Sequence, residues 1–333
     1  MANKCLEPFK CLNVINTDGP THISVCCLME DWEGSPRDYL TNPKLNEIRH
    51  RWNQMIWPKE CSACEKVESD GAESRRLSSL RWLNDNGIFD DSIDLVRMDY
   101  WCGNVCNLRC ATCGPHNSTA WQKELGVDKD ARNTVVNHSW RDCDLSKLQW
   151  IHFNGGEPLL DDHHIDLISS HPNLSKLKLN YNTNATVKPR PELIDIWSRC
   201  ELVVLDLSLD GIGDRFEYLR FPANWETVIK NLFWMRDNLP VNVMFEVNAT
   251  ISVLNQHYQD EVKTWIQDNF ATNRVTDPVR YRSQPANGIL SIDADITRAT
   301  VYLDSLDAKR NTDWRSVFPA FADQAASAST HSR

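Results

Sequence analysis

The sequence predicts an α/β fold: a parallel sheet built from six strand–helix repeats, closing into an open or partial βα barrel, with a small cysteine-rich module ahead of it. Three observations carry this expectation. Short apolar or alternating runs recur between residues 93 and 310 and alternate with helical patterns, the signature of parallel strands joined by helices. The 333 residues are enough for one large barrel and a small extra unit. Twelve cysteines stand mostly in two sets, one near the N-terminus and one after the first barrel strand.

The strands are expected at Leu95 to Trp101, Leu148 to Phe153, Leu177 to Tyr181, Leu202 to Leu209, Val241 to Ile251 and Val279 to Tyr281, where β-branched and aromatic residues alternate. Helical patterns separate them, among them Asp162 to Ser170, Pro191 to Ser198, Trp225 to Asn238 and Asp260 to Asn269. The chain thus divides into a module over residues 1–90, a barrel over 93–310 and a C-terminal extension over 311–333. The small polar end of the extension, Ala322 to Thr330, is predicted to be disordered. In such sheets the chemistry collects where the strand C-termini open into βα loops.

The formal net charge of −10 speaks against broad binding of nucleic acid, whose phosphates call for a Lys/Arg-rich face. The first residues lack the apolar core of a signal peptide, and no run of about 18 apolar residues appears, so a cytoplasmic protein with no membrane partner is expected. A reducing compartment turns clustered cysteines toward metal binding. Cys5, Cys143 and Cys200 stand apart from the clusters and read as buried or incidental thiols.

Directly after the first barrel strand lies Cys106-Asn107-Leu108-Arg109-Cys110-Ala111-Thr112-Cys113. Thiolates suit iron–sulfur clusters, which usually take four, so three local thiols leave one iron open to a small molecule. A zinc site completed by Cys102 or His116 is the competing reading. The next strand ends in Gly155-Gly156-Glu157-Pro158, the third in Thr183-Asn184-Ala185-Thr186, and the fourth in Ser208-Leu209-Asp210-Gly211.

Together these motifs resemble the radical S-adenosylmethionine (radical SAM) superfamily, whose signature is three cysteines at this spacing. The resemblance implies a partial (βα)6 TIM-like barrel and a SAM-binding [4Fe-4S] cluster on Cys106, Cys110 and Cys113. It assigns Gly155, Gly156, Glu157 and Pro158 to the amino group of SAM, and adds Asn184, Ser208, Arg220 and Asn248 as further SAM-binding positions. Arg220 matches an arginine for the SAM carboxylate, and Asn248 is placed at the fifth strand end. Two departures stand out: Ala185 replaces a glycine, and Thr112 stands where the family has an aromatic residue against the adenine.

The N-terminal set holds Cys11, Asp18-Gly19, Cys26-Cys27, an amphipathic helix with Leu45, Ile48, Trp52 and Met55 on one face, and Cys61-Ser62-Ala63-Cys64. Gly19 suits a hairpin turn that sets Cys11 and Cys26 on facing strands. The segment resembles the Twitch half of the auxiliary modules in the SPASM/Twitch group of radical SAM enzymes. That resemblance implies a second iron–sulfur cluster, of the [4Fe-4S] type, on Cys11, Cys26, Cys61 and Cys64, with Cys27 in reserve and zinc as the alternative metal.

The expected activity is reductive cleavage of SAM to a 5′-deoxyadenosyl radical that abstracts hydrogen from a peptide or protein side chain. A one-electron reductant such as flavodoxin or ferredoxin is the implied partner. Oxidation or epimerisation of a small metabolite, and a non-enzymatic iron–sulfur electron carrier, are the other readings. The Gly155-Gly156 motif and Ser208 speak against the last, since an electron carrier needs no SAM pocket. The long connection from Asn117 to Lys147, with Trp121, Trp140 and Cys143, is a candidate cap on the barrel mouth, with core packing as the alternative place for its aromatics. His163-His164 reads as a helix surface.

Overall fold

The computed structural model describes residues 4–15, 21–127, 140–141, 143–270 and 279–330. The turn predicted at Gly19 and the middle of the Asn117 to Lys147 connection lie outside them.

The described strands form one nine-stranded sheet in the order β3-β2-β1-β4-β5-β6-β7-β8-β9. The six barrel strands are β4 (Arg97–Trp101), β5 (Trp150–Asn154), β6 (Lys178–Thr183), β7 (Leu202–Leu207), β8 (Val243–Ile251) and β9 (Arg280–Pro285). All neighbours among them pair in parallel, as the alternation of strands and helices predicts. The N-terminal strands β1 (Cys11–Ile15), β2 (His22–Ser24) and β3 (Trp32–Glu33) extend the same sheet rather than making one of their own. β1 runs parallel to β4, with Cys11 opposite Arg97, and pairs antiparallel with β2.

Side chains alternate across the sheet with period two. One face carries Met98, Tyr100, Ile151, Phe153, Leu179, Tyr181, Val203, Leu205 and Val247 into the main apolar core beneath the helices. His164 is part of that packing rather than a helix surface. It is buried against Phe153 at 4.8 Å and Tyr181 at 5.4 Å, and burial pushes its imidazole down to about 3. The opposite face is polar, with Asp99, His152, Asn180, Asp206, Glu246, Asn248 and Arg282 around a cavity of about 460 Å³, the barrel lumen. The helix Arg75–Asp85 borders this lumen, with Trp82 edge-on to Trp150 at 5.5 Å.

Two local expectations are corrected. Met55 lies beyond the end of the helix Pro43–Asn53, at positive φ and 54 % exposed, so the buried face is Leu45, Ile48, Arg49 and Trp52. The tail predicted to be disordered belongs to the helix Pro319–Thr330. Its alanines favour helix and Phe321 is fully buried, so one anchor secures an otherwise small and polar stretch. Among the described residues no helix is long and apolar enough to cross a membrane.

Candidate radical SAM site

The three-cysteine loop leaves the end of β4 and is held from both sides by backbone bonds. Arg109 N donates to Phe221 O at 2.6 Å and Ala111 N to Leu219 O at 2.8 Å, which fastens the loop to the turn after the helix Gly213–Leu219. Cys106, Cys110 and Cys113 are half-buried and lie within electrostatic reach of one another and of Arg220. Burial pushes the Cys106 thiol up to about 11 and raises those of Cys110 and Cys113 as well. Such thiols ionise only with a cation to share the charge, the condition metal coordination supplies. Among the described residues no three His, Cys, Asp or Glu side chains converge tightly enough for a single metal ion. A cluster makes no such demand, because its thiolates sit on separate irons.

Cys102 precedes this loop, donating its N–H to Asn154 O at 2.9 Å and packing on the main core. It is half-buried at the end of β4, its pKa raised by desolvation.

The Gly-Gly pair is explained by contact. A Cβ on Gly155 would lie 2.3 Å from Gly103 O, and one on Gly156 2.2 Å from Val105 O. With Gly155 also at φ +118°, no other residue fits without moving the cysteine loop. Gly156 N donates to Gly103 O at 2.8 Å and Glu157 N to Val105 O at 2.7 Å, so the second motif is bonded directly to the start of the first.

Glu157 turns its side chain into the fold. Its carboxylate is fully buried and accepts from Thr183 Oγ1 at 2.8 Å, Asn184 N at 2.7 Å and Leu159 N at 3.2 Å. It therefore ties the end of β5 to the end of β6. Burial pushes its carboxyl up to about 7 against the pull of these donors.

Asn184 lies beside the loop, its Nδ2 3.2 Å from Asn107 Oδ1 and 4.0 Å from Cys106 Sγ. Ala185 takes φ +57°, the left-handed conformation that glycine holds more cheaply, which accounts for the family's preference there. Ser208 is half-buried at the end of β7, bonded through its N–H to Thr183 O at 2.9 Å. Arg220 is no solvated charge: it pairs with buried Asp210 at 2.8 Å. Burial works against its charge, yet Asp210 and the thiols of Cys110 and Cys113 hold its pKa above the ordinary value. In the sequence Asp210 shows only as part of a motif. Its pairing with Arg220, and its bond from Thr250 N at 2.7 Å, leave no local trace there.

Asn248 departs from the expected position. β8 continues to Ile251, so Asn248 sits within the strand, opposite Arg282, and lines the lumen rather than the rim. The strand ends at Ile251 as expected, so what differs is the place of Asn248 within it.

The N-terminal cysteines assemble differently from the predicted set. Cys5, Cys26, Cys61 and Cys64 line one small cavity together with Glu7, Trp52, Trp57 and Arg76. Cys61 and Cys64 straddle the start of the helix Ser62–Ser69, and their spacing of three puts both on one side. Cys26 lies two residues past the end of β2. Cys11 lines none of this cavity. It begins β1 on the lumen face, buried among Arg97, Glu7, Asp99 and Arg75, and burial pushes its thiol up to about 12. The incidental Cys5 takes its place because the turn Glu7–Lys10 folds Cys5 and Phe9 against Ile48 and Trp52. Cys27 is exposed beside Cys26 and outside the lining. Trp121, at the start of the candidate cap, takes the core alternative: it is buried behind the cysteine loop, with Nε1 donating to Cys110 O at 3.0 Å.

No curated protein sequence matches the chain. Among solved structures, SuiB of Streptococcus suis bound to S-adenosylmethionine is 15% identical over 91% of this chain and 69% of its own, at a TM-score of 0.38. The anSMEcpe protein with AdoMet and a peptide bound is 15% identical over 63% of this chain, at a TM-score of 0.40, and this chain spans 58% of its length. Residues 102–267 match the family model of the radical SAM superfamily, a stretch that runs from Cys102 ahead of the cysteine loop into the helix after β8. The chain is accordingly an enzyme of the radical SAM superfamily.

Proposed function

We propose that the chain cleaves SAM reductively at a [4Fe-4S] cluster on Cys106, Cys110 and Cys113 and uses the resulting radical to take hydrogen from a peptide or protein side chain. The observation that carries this reading is the bonded contact between the three-thiol loop and the Gly155-Gly156 backbone, with Asn184 and Arg220 beside the same thiols. When bound and reduced by a flavodoxin- or ferredoxin-like donor, the cluster supplies the electron that splits the sulfonium of SAM to methionine and a 5′-deoxyadenosyl radical. The chain's own residues do the positioning. The Gly155-Gly156 backbone offers carbonyls for the SAM amino group, Arg220 offers charge for its carboxylate, and Ser208 and Asn184 flank the strand ends between them.

A second cluster on Cys5, Cys26, Cys61 and Cys64 fits the four-thiol cavity. Four cysteines lining one cavity match the ligand number of a closed cluster, and the adjoining residues Glu7 and Arg76 are buried. This module supports the Twitch-like reading and, with it, a peptide or protein substrate. The lumen supports a polar one, since Asn180, Asn248, His152 and the pair Asp206–Arg282 line it.

The test is anaerobic reconstitution followed by dithionite and SAM. Release of 5′-deoxyadenosine with close to eight irons per chain is expected. Iron-loaded protein that releases none would refute the catalytic reading, and one cluster with zinc in the N-terminal set would refute the second.

A further inference from the structure

The carbonyls of the cysteine loop are tied down one after another. Cys106 O accepts from Thr119 Oγ1 at 3.1 Å, Leu108 O from Ser118 Oγ, Cys110 O from Trp121 Nε1 at 3.0 Å, and Ala111 O from Tyr302 Oη at 2.9 Å. The first three donors are local, from the helix Thr119–Leu125 and its cap. The fourth arrives from 191 residues further along, on the helix Ile296–Arg310, beyond the matched family region.

A second tie reaches the loop from the end of that helix. The Arg310 guanidinium lies 4.6 Å from the Trp121 ring and 5.0 Å from the Phe221 ring, and pairs with Glu124 at 3.3 Å. Glu124 pairs at the same time with Arg109, a residue of the loop itself, at 2.8 Å. Arg109 in turn lies 4.8 Å from the other side of the contact, the Phe221 ring. One carboxylate is therefore shared between an arginine of the cysteine loop and an arginine of the C-terminal helix. The Arg310 side chain is only 3% exposed, a burial that is costly for a charge unless it is paired.

The helix has its own anchorage. Ala299, Leu303 and Leu306 pack with Trp314, Phe318 and Phe321, so neither Tyr302 Oη nor the Arg310 charge is needed to seat it.

We propose that the C-terminal helix clamps the three-cysteine loop, with Tyr302 and Arg310 as positioning residues that hold the cluster thiols in the geometry SAM cleavage requires. The inference rests on that loop holding the catalytic cluster. Without these two side-chain ties Cys110 and Cys113 would be freer to shift relative to Arg220 and the Gly155-Gly156 backbone, and small misplacements of a reacting centre are expensive in rate.

The test uses the full chain, reconstituted anaerobically, as wild type, Tyr302→Phe, Arg310→Met and Arg310→Lys. Iron per chain, melting temperature, the electron paramagnetic resonance spectrum of the reduced cluster with and without SAM, and the rate of 5′-deoxyadenosine release are measured on each. Iron content and melting temperature should stay close to wild type. The rate should fall about tenfold in Arg310→Met and less in Tyr302→Phe, mainly in kcat, with an altered spectrum of the SAM-bound cluster. Arg310→Lys should recover only part of the rate, because an ammonium keeps the charge but not the stacking between two rings.

Wild-type rates and spectra in both Tyr302→Phe and Arg310→Met would overturn the clamp. Should Arg310→Met fail to fold, Tyr302→Phe, which loses one hydroxyl, decides alone. If loaded wild type releases no 5′-deoxyadenosine, the catalytic reading is what fails. The clamp is then decided by the spectra, and unchanged line shapes overturn it.

Discussion

Replacing Glu157 separates two roles that a motif alone does not distinguish. Its carboxyl stands at about 7 in the fold against an ordinary value of 4.5, because it is fully buried. The folded protein therefore holds this proton more tightly than the unfolded chain. The resulting stability is fully present below pH 4.5 and is lost as the pH rises through 7. With about 1.4 kcal/mol per pH unit, the loss from this group between pH 5 and pH 8 is roughly 2–3 kcal/mol. Glu157→Gln cannot ionise and should lack this component. Its amide also turns a donor toward Asn184 N or Thr183 Oγ1, so it should be less stable than wild type at pH 5 and closer to it at pH 8. Glu157→Ala strands three donors, two of them backbone N–H groups, and should cost about 3 kcal/mol or more. Anaerobic urea unfolding across this pH range gives the stabilities, and equilibrium dialysis gives SAM affinity. Iron content should persist while SAM binding weakens through the displaced ends of β5 and β6. A Glu157→Ala protein as stable as wild type at every pH, yet unable to bind SAM, would refute this account and return the carboxylate to the ligand.

Changing Cys106, Cys110 or Cys113 to Ala should remove one cluster's iron and all 5′-deoxyadenosine release while the N-terminal site stays loaded, whereas Cys102→Ala should change neither; iron counts and product yield decide. Cys5→Ala should unload the second site and spare SAM cleavage, and Cys11→Ala should leave both sites loaded; the reverse pattern would restore the ligand set expected from sequence. Arg220→Met leaves Asp210 buried without its partner and should destabilise the fold by about 3–5 kcal/mol, measurable by urea unfolding. Arg220→Lys keeps a charge and should weaken SAM binding about tenfold by equilibrium dialysis, with melting nearer to wild type.

Features written in short-range spacing are legible in the amino-acid sequence alone. The period-two alternation of the barrel strands depends only on which face each residue presents, and β4 to β9 appear in the predicted order. Cys106, Cys110 and Cys113, and the adjoining Gly155 and Gly156, are likewise local patterns at strand ends. The geometry adds why the glycines are there, since they touch Gly103 and Val105. The end of β8 at Ile251 is legible too, and it puts Asn248 inside the strand rather than at its mouth.

Tertiary structure alone puts Cys5 rather than Cys11 in the cavity with Cys26, Cys61 and Cys64. Both precede Cys26 by a plausible distance, and nothing in their neighbours tells which way either points. Pairing of Cys11 with Arg97 commits β1 to the barrel sheet and sets that thiol on the lumen face, while the turn at Glu7–Lys10 carries Cys5 onto the helix Pro43–Asn53. The tie of Arg310 to Arg109 through Glu124 is invisible in the sequence for the same reason. Charges so far apart along the chain meet only when burial of Leu303, Leu306 and Phe321 has set one helix against the loop, and contacts of that separation leave no period in the sequence.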